Sequence, residues 1–217
     1  MTRATASRLW HAVLAALVLA TVVAQIVLLV QGGVDVNSGD AARPALAERF
    51  VRFFSFFTVE SNLLVLATSI ALVVDPERDG ALFRVLRLDA LLGIAITWIV
   101  FALVLSKIVH VEGVAAWINF GFHDASPFLA LVGWLAFGPR PRIDMRTIAL
   151  AFVWPVAWIV YTLVRGASVG WFPYPFLDTA ALGYPKVFAN IAIVIGLALV
   201  LAGVMRWLDA KQPATGR

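Results

Sequence analysis

The chain has 217 residues, 62% of them hydrophobic and only 14% charged, and its mean hydropathy of +0.92 exceeds that of soluble domains, which are about half apolar and a quarter charged. A soluble fold of this composition would leave too much apolar surface in water. The net charge of +4 does not point to nucleic acid, because the basic residues are scattered between apolar runs, and the absence of cysteine excludes disulfides, thiolate chemistry and cysteine-held metals.

Six apolar runs are each long enough to cross a bilayer core, which takes about 20 residues. They cover about 9–30, 50–74, 82–108, 114–137, 147–164 and 185–208. The predicted fold is an all-α, six-helix membrane bundle forming a single domain, since lipid cannot satisfy exposed backbone groups and the runs are too continuous for barrel strands. The first run follows Arg3 and Arg8 as a signal peptide would. It is too long for a signal segment and is read as a retained helix. The second run stops at Asp75-Pro76-Glu77-Arg78-Asp79-Gly80 and the fourth at Gly138-Pro139-Arg140-Pro141-Arg142.

Basic residues set the orientation. With the N-terminus inside, Arg3, Arg8, Arg78, Arg84, Arg87, Arg140, Arg142, Arg146, Arg206, Lys211 and Arg217 fall on the cytoplasmic side. Arg43, Arg49, Arg52, Lys107, Arg165 and Lys186 fall outside. The excess predicts both termini in the cytoplasm and a multi-pass protein of the cell membrane. Two outer connections are long: a polar one from about Gln31 to Arg49, and a second from about Gly166 to Tyr184. The latter holds Gly170-Trp171-Phe172-Pro173-Tyr174-Pro175-Phe176-Leu177-Asp178, a composition suited to a structured loop or an anchor at headgroup level.

Chemistry must come from polar groups inside the spans, where each is costly. In the second run Ser55, Thr58, Ser61 and Asn62 recur at helical spacing and predict one polar stripe, with Glu60 beside it. In the fourth, Asn119 and His123 share a face, while Asp124 points about 100° away. Thr58 and His123 both fall roughly 12–14 Å below the outer boundary, so a hydroxyl and an imidazole could meet, the minimum for a base-activated nucleophile. Such residues also have ordinary roles, because membrane Ser and Thr commonly bond their own helix or tie helices together. His11 and His110 read as interfacial, Arg87 and Asp89 as structural or snorkelling groups near the inner surface, and Asn190 lies near the outer end of the last run.

These segments resemble a known family. Trp117-Ile118-Asn119-Phe120-Gly121-Phe122-His123, followed by Pro127-Phe128, resembles the Trp-Leu-Asn-x-x-x-His…Pro-Phe segment of the androgen-induced membrane proteins. Those, with the androgen-dependent regulator of tissue factor pathway inhibitor, are multi-pass threonine hydrolases that cleave fatty acid esters of hydroxy fatty acids. Gly170 to Asp178 is similar to their Gly-x-Trp-Val-Tyr-Pro-Phe-Leu-Glu segment. Arg52-Phe53-Phe54-Ser55-Phe56-Phe57-Thr58 resembles the segment that ends in their nucleophilic threonine. Two features depart from the family: Phe120 stands where a second histidine is common, and the step from His123 to Pro127 is one residue shorter.

The resemblance implies a membrane-embedded hydrolase of fatty acyl esters, with membrane lipids as surroundings and no cofactor or metal. Thr58 would be the nucleophile, or Ser55 if the alignment shifts by three. His123 would be the base. Asn119 would orient the base or donate to the oxyanion, Asn62 or Ser55 would be another oxyanion donor, and Trp171, Tyr174 and Asp178 would belong to an outer lid. The alternative from the residues alone is a non-enzymatic protein, such as a small transporter or a lipid-binding or scaffold component, in which Glu60, His123 and Asp124 handle protons.

Overall fold

The computed structural model describes residues 1–32 and 44–213; most of the first long outer connection, together with Arg43 and Arg217, lies outside them. The described residues are helical apart from short connections. In chain order the helices are α1 (Arg3–Val30), α2 (Leu46–Ser55), α3 (Phe57–Val74), α4 (Ala81–Leu103), α5 (Gly113–Phe120), α6 (Ser126–Phe137), α7 (Met145–Ala151), α8 (Val153–Val169), α9 (Thr179–Leu182) and α10 (Tyr184–Lys211). Five stretches among the described residues are long and apolar enough to cross a membrane: Arg3–Val30, Phe57–Val74, Ala81–Lys107, Met145–Val169 and Tyr184–Lys211. Large apolar side chains face outward along α1, α8 and α10, among them Leu19, Val23, Val160, Ile193, Leu199 and Val200. Lipid accepts such a surface where water would not.

Two expected runs are broken. Residues 50–74 do not form one helix, because Phe56 adopts an extended conformation (φ −73°, ψ 124°) and separates α2 from α3. Phe56 sits edge-on to both Trp171 and Tyr174, with ring centroids 5.7 Å away in each case. That aromatic packing compensates for the interrupted ladder. The break also splits the predicted stripe, since Ser55 ends one helix and Thr58 opens the next. Residues 113–137 remain right-handed helix throughout, but Gly121–Ala125 form a π turn between α5 and α6. Single π turns of this kind recur at functional positions.

The helices α3 and α4 occupy the middle. Their antiparallel approach is close because Gly93 faces Ser61: a Cβ on Gly93 would lie 2.6 Å from Ser61 Oγ. Small residues permit such contacts within membrane bundles. One apolar core joins α1, α3, α4 and the π turn through Leu14, Val18, Val65, Ile94 and Phe122. A second joins α4, α6, α7 and α10 through Leu88, Leu91, Trp134 and Met205. A third, at the opposite end of the bundle, seats Phe172, Tyr174 and Leu177 against Trp158, Val187 and Ile191. Basic residues act structurally as well: Arg3 and Arg140 donate to carbonyls of Ala136, Trp134 and Leu135 at the end of α6, where a helix leaves acceptors unpaired.

Candidate functional site

Where Phe56 interrupts the chain, α3 begins with Phe57 and Thr58. The first N–H groups of a helix have no acceptor within it. Thr58 N–H instead donates to the Tyr174 hydroxyl at 3.1 Å. The same hydroxyl lies 3.1 Å from Thr58 Oγ1, and His123 Nε2 lies 3.5 Å from Oγ1 on another side. His123 Nδ1 lies 3.1 Å from the Asn119 carbonyl oxygen, one turn back. A carbonyl can only accept, so Nδ1 carries the proton and Nε2 presents its lone pair to the threonine. One consistent direction of donation follows: Thr58 N–H to Tyr174, Tyr174 O–H to Thr58 Oγ1, and Thr58 O–H to His123. Phe101 stacks on the imidazole, with centroids 4.1 Å apart, and fixes its plane.

The other expected residues divide. Asn119 serves the histidine through its backbone carbonyl rather than its side chain. Asn62 donates to the carbonyls of Thr58 (2.9 Å) and Phe122 (3.3 Å), so its amide hydrogens tie α3 to the π turn. Ser55 is directed elsewhere, to Val51 O at 2.7 Å and the Tyr161 hydroxyl at 2.8 Å. Glu60 accepts from Trp154 Nε1 at 2.8 Å, and Asp124 is bonded by Trp98. Asp178 caps α9, accepting from Ala180 and Ala181 N–H at 2.9 and 3.0 Å. Trp171 is buried in the outer loop with the guanidinium groups of Arg52 and Arg165 each 5.1 Å from its ring. Glu48 bridges the two arginines at 2.9 and 2.6 Å. The loop therefore contributes in two ways: Trp171 is clamped at the rim, and Tyr174 reaches down to the threonine. Asn190 holds the loop from α10 by donating to Phe176 O at 2.8 Å.

Two cavities meet at this point. One is bordered by α4, α8 and α10 and by Thr58 and Tyr174. The other is bordered by His123, Asn119, Gln25 and Arg49, and again by Thr58 and Tyr174. Thr58 stands where the two adjoin.

The polar residues nearer the inner side do not sit where the sequence suggested. His11 is fully buried rather than interfacial, because α1 begins at Arg3 and carries it into the bundle. Arg87 and Asp89 are buried too, at 6% and 4% exposure, so neither snorkels to the inner surface. His110 is exposed. The direct role of Tyr174 was not foreseen beyond lid membership. Its signal was a phenol among prolines in an otherwise apolar loop.

Compared with protein-family models, characterised proteins and solved structures, the chain matches none.

Proposed function

We propose that the chain is an intramembrane hydrolase of fatty acyl esters, with Thr58 as nucleophile and His123 as base. The observation that carries this reading is the ordered set Thr58–His123–Asn119 O, with the histidine tautomer fixed for proton uptake, at the junction of two cavities. Thr58 Oγ1 attacks the ester carbonyl while its proton passes to His123 Nε2. The oxyanion is held by Thr58 N–H, freed at the start of α3, and by the Tyr174 hydroxyl once it turns from Oγ1. The C–O bond to the alcohol then breaks, and His123 returns the proton to the departing oxygen. Water, deprotonated by the same imidazole, releases the acid from the threonine. The gap of 3.5 Å is at the long end of hydrogen bonding and tightens when substrate closes the site. The two cavities take the two arms of the ester.

The six-span topology belongs to the same proposal. Residues 113–137 form a continuous helix of 25 residues, about 37 Å long, and supply the sixth crossing. An even number of crossings returns both termini to one side, the cytoplasmic side by the excess of basic residues, with the bacterial inner membrane as location.

The test is ester hydrolysis by the purified chain in lipid nanodiscs. Wild type should cleave long-chain esters and label with a fluorophosphonate probe, and Thr58→Ala or His123→Ala should abolish turnover while leaving yield and melting temperature intact. Undiminished cleavage in both variants would overturn the mechanism. Solute uptake by proteoliposomes without any ester cleavage would favour a transporter instead.

A further inference from the structure

The cavity bordered by α4, α8 and α10 contains a group that ester chemistry at Thr58 does not use. Its wall is apolar, built from residues such as Leu92, Ile96, Trp154, Trp158, Ile191 and Ile195, yet Asp89 also faces it. Asp89 is 4% exposed, and among the described residues no hydrogen-bond donor or cation is paired with its carboxyl. Thr97 borders the same cavity at 5% exposure, and its hydroxyl has no partner. Asp89, Gly93 and Thr97 follow one another at four-residue intervals, so they form one face of α4. All three border the cavity.

Buried polar groups normally find partners, and a carboxyl within a membrane bundle is costly. An unpartnered carboxyl on an apolar cavity indicates that a ligand supplies what the protein does not. Its placement says where. Ser61 of α3 lies opposite Gly93 of α4. Thr58 is three residues outward from Ser61, and Asp89 is four residues inward from Gly93. With the helices antiparallel, Asp89 lies about 10 Å deeper than the threonine.

We propose that this cavity binds an aliphatic chain bearing a hydrogen-bond donor, a hydroxyl or an ammonium, and that Asp89 recognises that donor about 10 Å from the group held at Thr58. Placing the ester carbonyl at Thr58 rests on the hydrolase reading; recognition of the donor by Asp89 does not. A plain chain leaves the carboxyl without a partner and forfeits that interaction, whereas a donor at the matching depth satisfies it.

The experiment measures binding without turnover. Thr58→Ala protein in nanodiscs is titrated with methyl decanoate, methyl ω-hydroxydecanoate and methyl ω-aminodecanoate, following tryptophan fluorescence, since Trp154 and Trp158 border the cavity. Octanoate and dodecanoate series bracket the length. At least one donor-bearing chain should bind about tenfold or more tightly than the plain chain of equal length, and Asp89→Leu on the same background should erase or invert that ratio. A hydroxyl ligand should retain part of its advantage with Asp89→Asn, and an ammonium ligand should lose it, which identifies the donor. Equal binding of plain and donor-bearing chains at all three lengths, or a ratio that survives Asp89→Leu, would overturn the inference. Wild type that hydrolyses none of the esters while the ratio holds would sink the hydrolase reading and leave the recognition by Asp89 standing.

Discussion

The chain holds two histidines within its helices by the same device and gives them different partners. Toward one end of the bundle, His11 Nδ1 lies 2.8 Å from the carbonyl of Ser7, one turn back on α1. Toward the other, His123 Nδ1 lies 3.1 Å from the carbonyl of Asn119, one turn back on its own helix. Both rings therefore carry the proton on Nδ1 and present Nε2 as an acceptor. They differ in what meets that lone pair. His11 Nε2 faces the Arg87 guanidinium at 3.4 Å, and Arg87 also reaches Thr68 at 3.4 Å. His123 Nε2 faces the hydroxyl of Thr58 at 3.5 Å beside a cavity. A lone pair committed to a permanent cation has no capacity to take up a proton. A lone pair aimed at a hydroxyl does. Burial of a histidine says little by itself; the partner on its second nitrogen decides between a strut and a base.

The widest separation between the two histidines should appear in turnover. His123→Ala and Thr58→Ala are expected to lower ester cleavage by about a hundredfold to ten-thousandfold, the range that acid–base and nucleophilic groups supply, measured as kcat in nanodiscs. His11→Ala should leave kcat within a few-fold and act on stability instead. It takes one of two side-chain acceptors, the other being Thr68, from a buried guanidinium, at a cost of about 1–3 kcal/mol, read as a fall in melting temperature. Loss of cleavage with His11→Ala at unchanged stability would erase the contrast.

Tyr174→Phe sharpens it on the outer side. Removing one hydroxyl should cost about 10- to 1,000-fold in kcat, with less effect on KM, because the ring still packs against Phe56 and Phe176. A smaller effect is expected at Ser55, whose hydroxyl is held by Val51 O and Tyr161. Ser55→Ala should keep turnover near wild type and lose about 1 kcal/mol of stability. If Ser55→Ala abolished cleavage while Thr58→Ala did not, the nucleophile would have to be reassigned.

The smallest effect concerns pH and the loop between α3 and α4, outside the apolar segments. Hydrogen bonds from Arg84 hold the Asp79 carboxyl well below its ordinary value of 3.8, and Arg142 adds to this. A carboxyl whose pKa is lowered by folding adds stability above its unfolded value, and that contribution is lost as pH falls through the folded one. The pair is partly exposed and screened, so the slope is shallow. Wild type should melt slightly above Asp79→Asn near pH 7, and the gap should close as pH falls below about 4.

Hydropathy made the apolar helices legible because membrane length and backbone satisfaction leave few alternatives. The breaks were not legible. Phe56 has neither glycine nor proline beside it, and its extended backbone answers to Trp171 and Tyr174, more than a hundred residues away. The matching depth of Thr58 and His123 could be read from spacing alone, because residue rise along a helix is regular. The stripe that included Ser55 failed for the reason just given: periodicity assumes an unbroken helix. His11 lies deeper than its distance from the apolar run implies, because α1 starts six residues before that run. Tyr174 could be placed in a lid but not against a backbone N–H, since that contact depends on how the loop is seated.

That seating depends on Gly166 of α8. A Cβ there would collide with the ring of Phe172, two residues before the tyrosine. The loop rests in a notch made by a missing side chain, so the spacing between phenol and threonine is tuned from a helix that need not contact the substrate. Position 166 then works as a latch. A single methyl would prop it ajar, trading retention of a bound chain against speed of product release, with every reacting group left in place.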